Sequence, residues 1–516
     1  MPTGSSSISF VPSRKKATII NLIRDYASMT ILVIQGIVLV PLYLHYIDAR
    51  LYGAWLATGS IVAYMGLLDL GFSSVIVQKI SVVAGQRDYK RLGEMIGTSL
   101  VITCIVALLP ILLAILLFTK VPAWVNMGGV EAHQIAKAFL VAAVSTSLML
   151  IAYGVGGTFL GLQRVGVVSI QFVISSLIGI MATLLFLHIG WGIVSIPSGL
   201  LTQAALLAAS HCIYLWWWLR NNLPLKSLCF KQSLFRDLFR PSSWVFMSRL
   251  SNVAATQSDS LIVATMIDPR LTTTLVLTKK SSDIITIIAS RISSAFMPSL
   301  AHLSGEKDLG MVKLKQFMLG MMKISLIIGI FGVGGVFLLN KEFVRLWVGQ
   351  DYYGGALLTG LICVSGFIII CNTIVSNSIF AKGKIRTTAK ASMLEAIVRV
   401  PLSIALCYYF GIKGVVLAGI IAVLPTSLLM QTRCLFRILN LSWHQVIRSL
   451  SVLFIKASVP LGLGLLVRLL WSPTGLVGFI VFSTVYSVIT FIFYYSVDSS
   501  LREFSIRVFN RYVVRA

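Results

Sequence analysis

FSSVIVQKISVVAGQRD (Phe72–Asp88) lies over ISSAFMPSLAHLSGEKD (Ile292–Asp308) at one fixed offset, with Ser73/Ser293, Ser74/Ser294, Ser81/Ala301, Gly85/Gly305 and Asp88/Asp308 in register. A second echo, FLGLQR (Phe159–Arg164) against FAKGKI (Phe380–Ile385), recurs at nearly the same spacing. Two matches at equivalent places point to a duplicated unit, and the residues between the copies say of what kind. In windows of about twenty residues the chain is a succession of apolar segments able to cross a bilayer, about fourteen of them between residues 22 and 496. About six segments separate the copies; six being even, the two halves share one orientation and are related by an axis along the membrane normal. The expected fold is an all-α polytopic membrane protein. It divides into a first lobe over 1–219, a basic cytoplasmic linker over 220–242, a second lobe over 243–440, and two extra carboxyl-terminal spans with a basic tail over 441–516.

Composition agrees. Mean hydropathy is +0.91, 57% of residues are hydrophobic and only 12% are charged, so no stretch reads as a soluble domain. The formal net charge of +26, from 43 Lys and Arg against 17 Asp and Glu, would suggest nucleic acid in a soluble chain. Here the cations fall almost entirely in alternate gaps. Lys79, Arg87, Lys90 and Arg91 fill one gap, Arg220 to Arg240 another, and Lys382, Lys384, Arg386 and Lys390 a third. That alternation is the positive-inside pattern with both termini cytoplasmic, and it accounts for most of the charge without any ligand. Residues 1–16 carry Arg14, Lys15 and Lys16 but no apolar core before a small-residue cleavage site, so the first span is expected to direct insertion. Arg502, Arg507, Arg511 and Arg515, in register with Phe504, Val508 and Tyr512, read as a short interfacial helix on the anionic inner leaflet.

Several chemistries lack their residues. The seven cysteines form no CxxC pair, and the six histidines, isolated near span ends or in loops, read as interfacial polar residues, so neither disulfides nor a metal site is expected. There is no phosphate-binding glycine loop and no nucleotide fingerprint. The chain is expected to need no cofactor, to bind no nucleic acid and to hydrolyse no ATP.

The informative residues are the ionisable groups within apolar spans, each of which costs at least about 2.5–3.5 kcal/mol at a helix centre and so is expected to face away from lipid. They are Arg24, Asp25, Asp69, Arg249, Asp259, Lys279, Lys280, Asp283, Arg291, Lys323, Glu395, Arg399 and Lys456. Cations outnumber carboxylates. Lys280, Ile284, Ile287 and Arg291 share one helical stripe, and a single Asp283 cannot neutralise three cations. Arg24, Arg249 and Arg291 fall at a similar inner depth. With Lys279, Lys280 and Arg399 they are the candidate lining of a basic chamber open to the cytoplasm. Guanidinium forks in a partly dry cavity suit phosphate or pyrophosphate oxygens, so the expected substrate is an anion with a phosphate-like head.

Bland readings weigh against parts of this set. Arg24, Lys323 and Lys456 are within snorkelling reach of the inner interface. Glu395 and Arg399 have the i,i+4 order of a self-neutralising pair. Asp69 and Asp259, near the midplane, either titrate in an ion-coupled cycle or balance nearby cations, as does Asp283. Ser248, Ser251, Asn252, Thr256, Gln257, Ser258 and Ser260 around Arg249 and Asp259 make a span too polar for lipid, suited to a sugar or to helix packing.

LLDLGFSSVIVQKIS (Leu67–Ser81), followed by GQRDYKRLGEMI (Gly85–Ile96) and by FLGLQR after the fourth span, resembles the polysaccharide flippases of the O-antigen type in the multidrug/oligosaccharidyl-lipid/polysaccharide exporter superfamily. The resemblance covers most of the chain. It implies two six-span lobes, and movement of undecaprenyl-pyrophosphate-linked oligosaccharide from the inner to the outer leaflet of the bacterial cytoplasmic membrane by alternating access. It also implies a place among the polymerase and assembly proteins of a surface polysaccharide, with membrane lipids as neighbours. Whether protons or sodium ions drive the cycle stays open. Within the same fold a multidrug/cation antiporter is disfavoured by the cations, and a lipid II flippase is the closer alternative. A membrane glycosyltransferase or polymerase would need a large exterior loop or clustered carboxylates for a metal, and the sequence has neither.

Overall fold

The structure, a computed structural model, describes residues 30, 33–86, 88–224, 227–295, 310–381, 384–439, 443–471, 473 and 475–497. Arg24, Asp25, most of the second repeat copy and the arginine-rich tail lie outside the described residues. Among those described, all regular structure is helical. Ten stretches are long and apolar enough to cross a membrane, which makes this a multi-pass membrane protein. Val101, Ile105, Leu108, Leu112 and Ile115 stand exposed at helical spacing along one of them, an outward apolar stripe that only lipid or another apolar surface can cover.

The helices divide into two compact units, residues 1–253 with 267–272 and residues 254–266 with 273–516. In the first, α1 (Val40–Tyr46) leads to α2 (Ala49–Gly66), a broken turn, and α3 (Phe72–Gln86). Then follow α4 (Tyr89–Leu117), α5 (Gly129–Gly161), α6 (Val165–His188) and α7 (Ser195–Asn222). The next helix, α8 (Gln232–Met266), contributes residues to both units, as does α9 (Pro269–Ala295). The second unit continues with α10 (Gly310–Trp347), α11 (Ala356–Ala381), α12 (Ile385–Phe410) and α13 (Ile412–Val423). A π-helical turn, Leu424–Leu428, joins α13 to α14 (Leu429–Leu439), and α15 (Trp443–Leu470) and α16 (Gly475–Val497) end the described chain. Neither α8 nor α9 is among the ten apolar stretches. Arg249, Thr256, Gln257 and Asp259 dilute the first, and Thr272, Thr273, Lys279, Lys280 and Asp283 the second.

The core of the first unit is built where Phe72, Ile76 and Ile80 of α3 meet Ile96 of α4, Phe159 of α5, Trp218 of α7 and Leu238 of α8. Small residues set the spacing, as expected where lipid removes the hydrophobic drive between helices. Gly157 and Gly161, one turn apart on α5, run against α3; a Cβ at Gly161 would lie 2.8 Å from Ile80 Cβ. Hydroxyls are satisfied locally: Thr58, Thr98 and Thr183 each donate to the carbonyl four residues back.

The basic segment after α7 is docked onto this unit. Gly93 and Gly97 on α4 leave a groove in which Ser227 to Cys229 lies, with a Cβ at Gly97 falling 2.9 Å from the Cys229 nitrogen. Lys231 closes the groove with an ion pair to Glu94 at 2.7 Å and a backbone N–H donated to Thr98 Oγ1 at 3.1 Å. The hydrogen bond it donates to the Glu94 carboxylate holds the Lys231 ammonium above the ordinary lysine value. On the alkaline side the tie is therefore lost only as pH rises through the raised value. In the second unit, Ala289 of α9, Leu326, Ile327 and Ile330 of α10, Ile370 and Ile374 of α11 and Tyr494 of α16 form a separate core.

The α3–α5 contact has a direct check. Gly161→Val overpacks it and should cost about 2 kcal/mol, read as a lower unfolding midpoint of detergent-purified protein, while the same change at open Gly85, where a Cβ meets nothing within 4 Å, should leave the midpoint in place.

Candidate functional site

The turn between α2 and α3 explains the LLDLG sequence. Leu67–Asp69 form one 3-10 turn, Leu70 takes a left-handed φ of 48°, and Gly71 follows at φ 77°. Gly71 is required twice over, because a Cβ there would also lie 2.8 Å from Val245 Cβ on α8. The break turns the Asp69 carboxylate back onto the amino end of α3, where it accepts the Ser73 N–H at 3.2 Å and the Ser73 hydroxyl at 2.8 Å. Arg249, one turn after Val245 on α8, donates through Nη1 to Asp69 Oδ2 at 3.1 Å and through Nη2 to Ser74 Oγ at 2.7 Å. Asp69 is 11% exposed at its side chain, whereas Arg249 keeps 44% of its own accessible. One edge of the guanidinium is thus held by an internal anion, and the other opens to the surface beside a serine hydroxyl.

The second unit holds a more deeply buried pair. Arg399 of α12 donates through Nη2 to Asp259 Oδ2 of α8 at 2.8 Å, with side chains 10% and 12% exposed. Gly419 on α13 makes the room: a Cβ there would lie 3.0 Å from Arg399 Cζ. The expectation that Arg399 chiefly neutralises Glu395 is corrected by this geometry. The guanidinium turns across the helix interface to α8, and among the described residues the buried Glu395 carboxylate has no ion pair. Local i,i+4 spacing lost to a tertiary carboxylate reached across the helix interface.

On α9, Lys279 pairs with Asp283 at 3.6 Å, both partly exposed, while Lys280 is half-buried and Arg291 exposed. This stretch is positioned from α10 by Asn340, which is fully buried. Its Oδ1 accepts from Ser281 at 2.6 Å, and its Nδ2 donates to the Thr278 carbonyl at 2.9 Å and to Thr359 Oγ1 at 3.2 Å, bracketing the two lysines. Of the candidate set, then, Arg249 and Asp69 come together in the first unit, and Arg399 with Asp259 and Lys279 with Asp283 in the second; Arg24 lies outside the described residues. Ser73, Ser74 and Asn340 were not legible as site residues. The signal for the serines was their place two and three residues after Asp-Leu-Gly, a helix start with an acidic cap.

Residues 25–304 match the family described as polysaccharide biosynthesis protein. The chain belongs to this family. Over 384 residues it is 21% identical to a Shigella flexneri protein described as an O-antigen transporter, an alignment covering 74% of this chain and 88% of that protein. Its fold is shared with the lipid II flippase MurJ in an inward closed conformation, at a TM-score of 0.65 and 15% identity over 93% of this chain and 98% of that one. A multidrug resistance MATE family transporter of the MOP superfamily, in an inward-facing conformation, superposes with a TM-score of 0.59 and 15% identity over 78% of this chain and 98% of the other. Membership in the polysaccharide biosynthesis family and a MATE- and MurJ-like fold are what the sequence resemblance led one to expect.

The buried pair is testable by stability. Arg399→Met strands the Asp259 carboxylate and should cost about 3–5 kcal/mol. Adding Asp259→Leu should recover most of the loss, read as the unfolding midpoint of purified protein; a double variant no more stable than the single would mean the two groups are not energetically paired.

Proposed function

We propose that this chain moves an oligosaccharide carried on undecaprenyl pyrophosphate from the inner to the outer leaflet of a bacterial cytoplasmic membrane, by alternating access and without enzymatic chemistry of its own. The observation that carries the reading is Arg249. It is a guanidinium on the polar helix α8, held on one edge by a carboxylate and left 44% accessible on the other. Such a group is costly in a bilayer and is kept where an anion must be met. Family membership supports a role in polysaccharide assembly, and the description of the Shigella flexneri relative supports transport.

In this reading the cations that serve the pyrophosphate head are drawn from Arg24 and Arg249, and from Lys279, Lys280, Arg291 and Arg399. Asp69, Asp259 and Asp283 each face a cation, which favours charge balance as their resting role. The polar residues of α8 supply hydroxyls and amides for the glycan. Positive charge in alternate gaps supports cytoplasmic termini. The repeat-unit polymerase and assembly proteins would receive the product on the outer face.

In cells that depend on the chain for a surface glycan, Arg249→Ala and Arg291→Ala should insert at normal levels yet lower surface glycan by tenfold or more, about 1.4 kcal/mol or more of lost head-group binding. Lys456→Ala, within reach of the interface, should leave display unchanged. Normal display in both arginine variants would remove the anion site.

A further inference from the structure

The start of α3 has the parts of a phosphate site, and a carboxylate of the protein already occupies it. Ser73 and Ser74 lie in the first turn of a 15-residue helix, where backbone N–H groups have no helical acceptor and the dipole favours an anion. Their hydroxyls and the Arg249 fork converge on the same place, with Ser74 Oγ accepting from Nη2 at 2.7 Å. The oxygens now satisfying this cradle are those of Asp69: Oδ1 takes the Ser73 hydroxyl and N–H, and Oδ2 takes Arg249 Nη1. A phosphate group offers a pair of oxygens that the same donors can meet, with more charge.

We propose that Asp69 is an internal competitor for the head-group site: a phosphate-bearing anion replaces its carboxylate on Arg249, entering at the exposed edge beside Ser74, and Ser73 and Ser74 become ligands. The proposal rests on the anionic-head-group reading above and adds to it the residues that set affinity. The competition keeps Arg249 neutralised when no substrate is present, and it lowers the apparent affinity in proportion to the fraction of molecules in which Asp69 has released the guanidinium. A weakened hold is what a transporter needs, because a head group bound without competition would not leave. Gly71, which leaves room for Val245 at the same turn, keeps α8 close to the start of α3.

The test is equilibrium binding of radiolabelled inorganic pyrophosphate, and separately of undecaprenyl pyrophosphate in detergent, to the purified full chain. Asp69→Asn keeps an oxygen to cap Ser73, preserving the turn, but gives up the charge; it should bind about tenfold more tightly than the parent. Ser74→Ala, an exposed position that leaves the Asp69–Arg249 pair intact, should bind several-fold more weakly. Tightening with both ligands supports a site for the phosphate groups alone, and tightening with only the polyprenyl form supports one that also needs the lipid. Equal or weaker binding by Asp69→Asn, or no binding by either protein, overturns the proposal. Failure of leaflet transfer with these binding results intact would instead count against the flippase reading and leave the competitor standing.

Discussion

An ionised side chain in a bilayer is tolerated only where another charge or a set of donors replaces water, and four of the buried carboxylates among the described residues meet a cation. Asp69 is reached by Arg249, Asp259 by Arg399, Glu342 by Arg468 and Glu94 by Lys231. Each pair joins residues far apart in sequence, so each also fixes which helices must be neighbours within its unit. Glycines then set how close those helices come: Gly71 admits Val245 beside the first pair, and Gly419 admits the Arg399 guanidinium in the second. Moving either helix by even one side chain's width would leave a buried carboxylate alone.

The helix α8 carries members of two of these pairs. Arg249 serves a carboxylate of the first unit and Asp259 a guanidinium of the second, about 15 Å apart along the axis at 1.5 Å per residue. The extended segment held in the Gly93–Gly97 groove restrains the chain just before α8 begins.

The fold was legible because membrane spans are written at low resolution. Runs of about twenty apolar residues and cations in alternate gaps need no knowledge of packing, and LLDLGFSS and FLGLQR carried the family. What escaped was everything set by tertiary contact. The break at Leu67–Gly71 sits inside an apolar run, and Asp-Leu-Gly gives only a weak turn signal there. Arg399 read as a partner for Glu395 because helical spacing is visible in sequence, whereas the approach of α8 to α12 is not. Asn340 looked like one polar residue among apolar neighbours; its value lies in three contacts to Ser281, Thr278 and Thr359 that only the folded chain assembles.

The central claim is that the cationic residues exist to carry a polyprenyl pyrophosphate head across the membrane, and the most direct measurement is leaflet transfer in proteoliposomes. Purified protein would be reconstituted with a fluorescent oligosaccharide on undecaprenyl pyrophosphate in one leaflet, beside the same oligosaccharide on an uncharged polyprenyl carrier, and the appearance of each in the opposite leaflet followed. The account predicts protein-dependent transfer of the pyrophosphate form alone. Transfer of both forms at equal rates, or of neither, would contradict it.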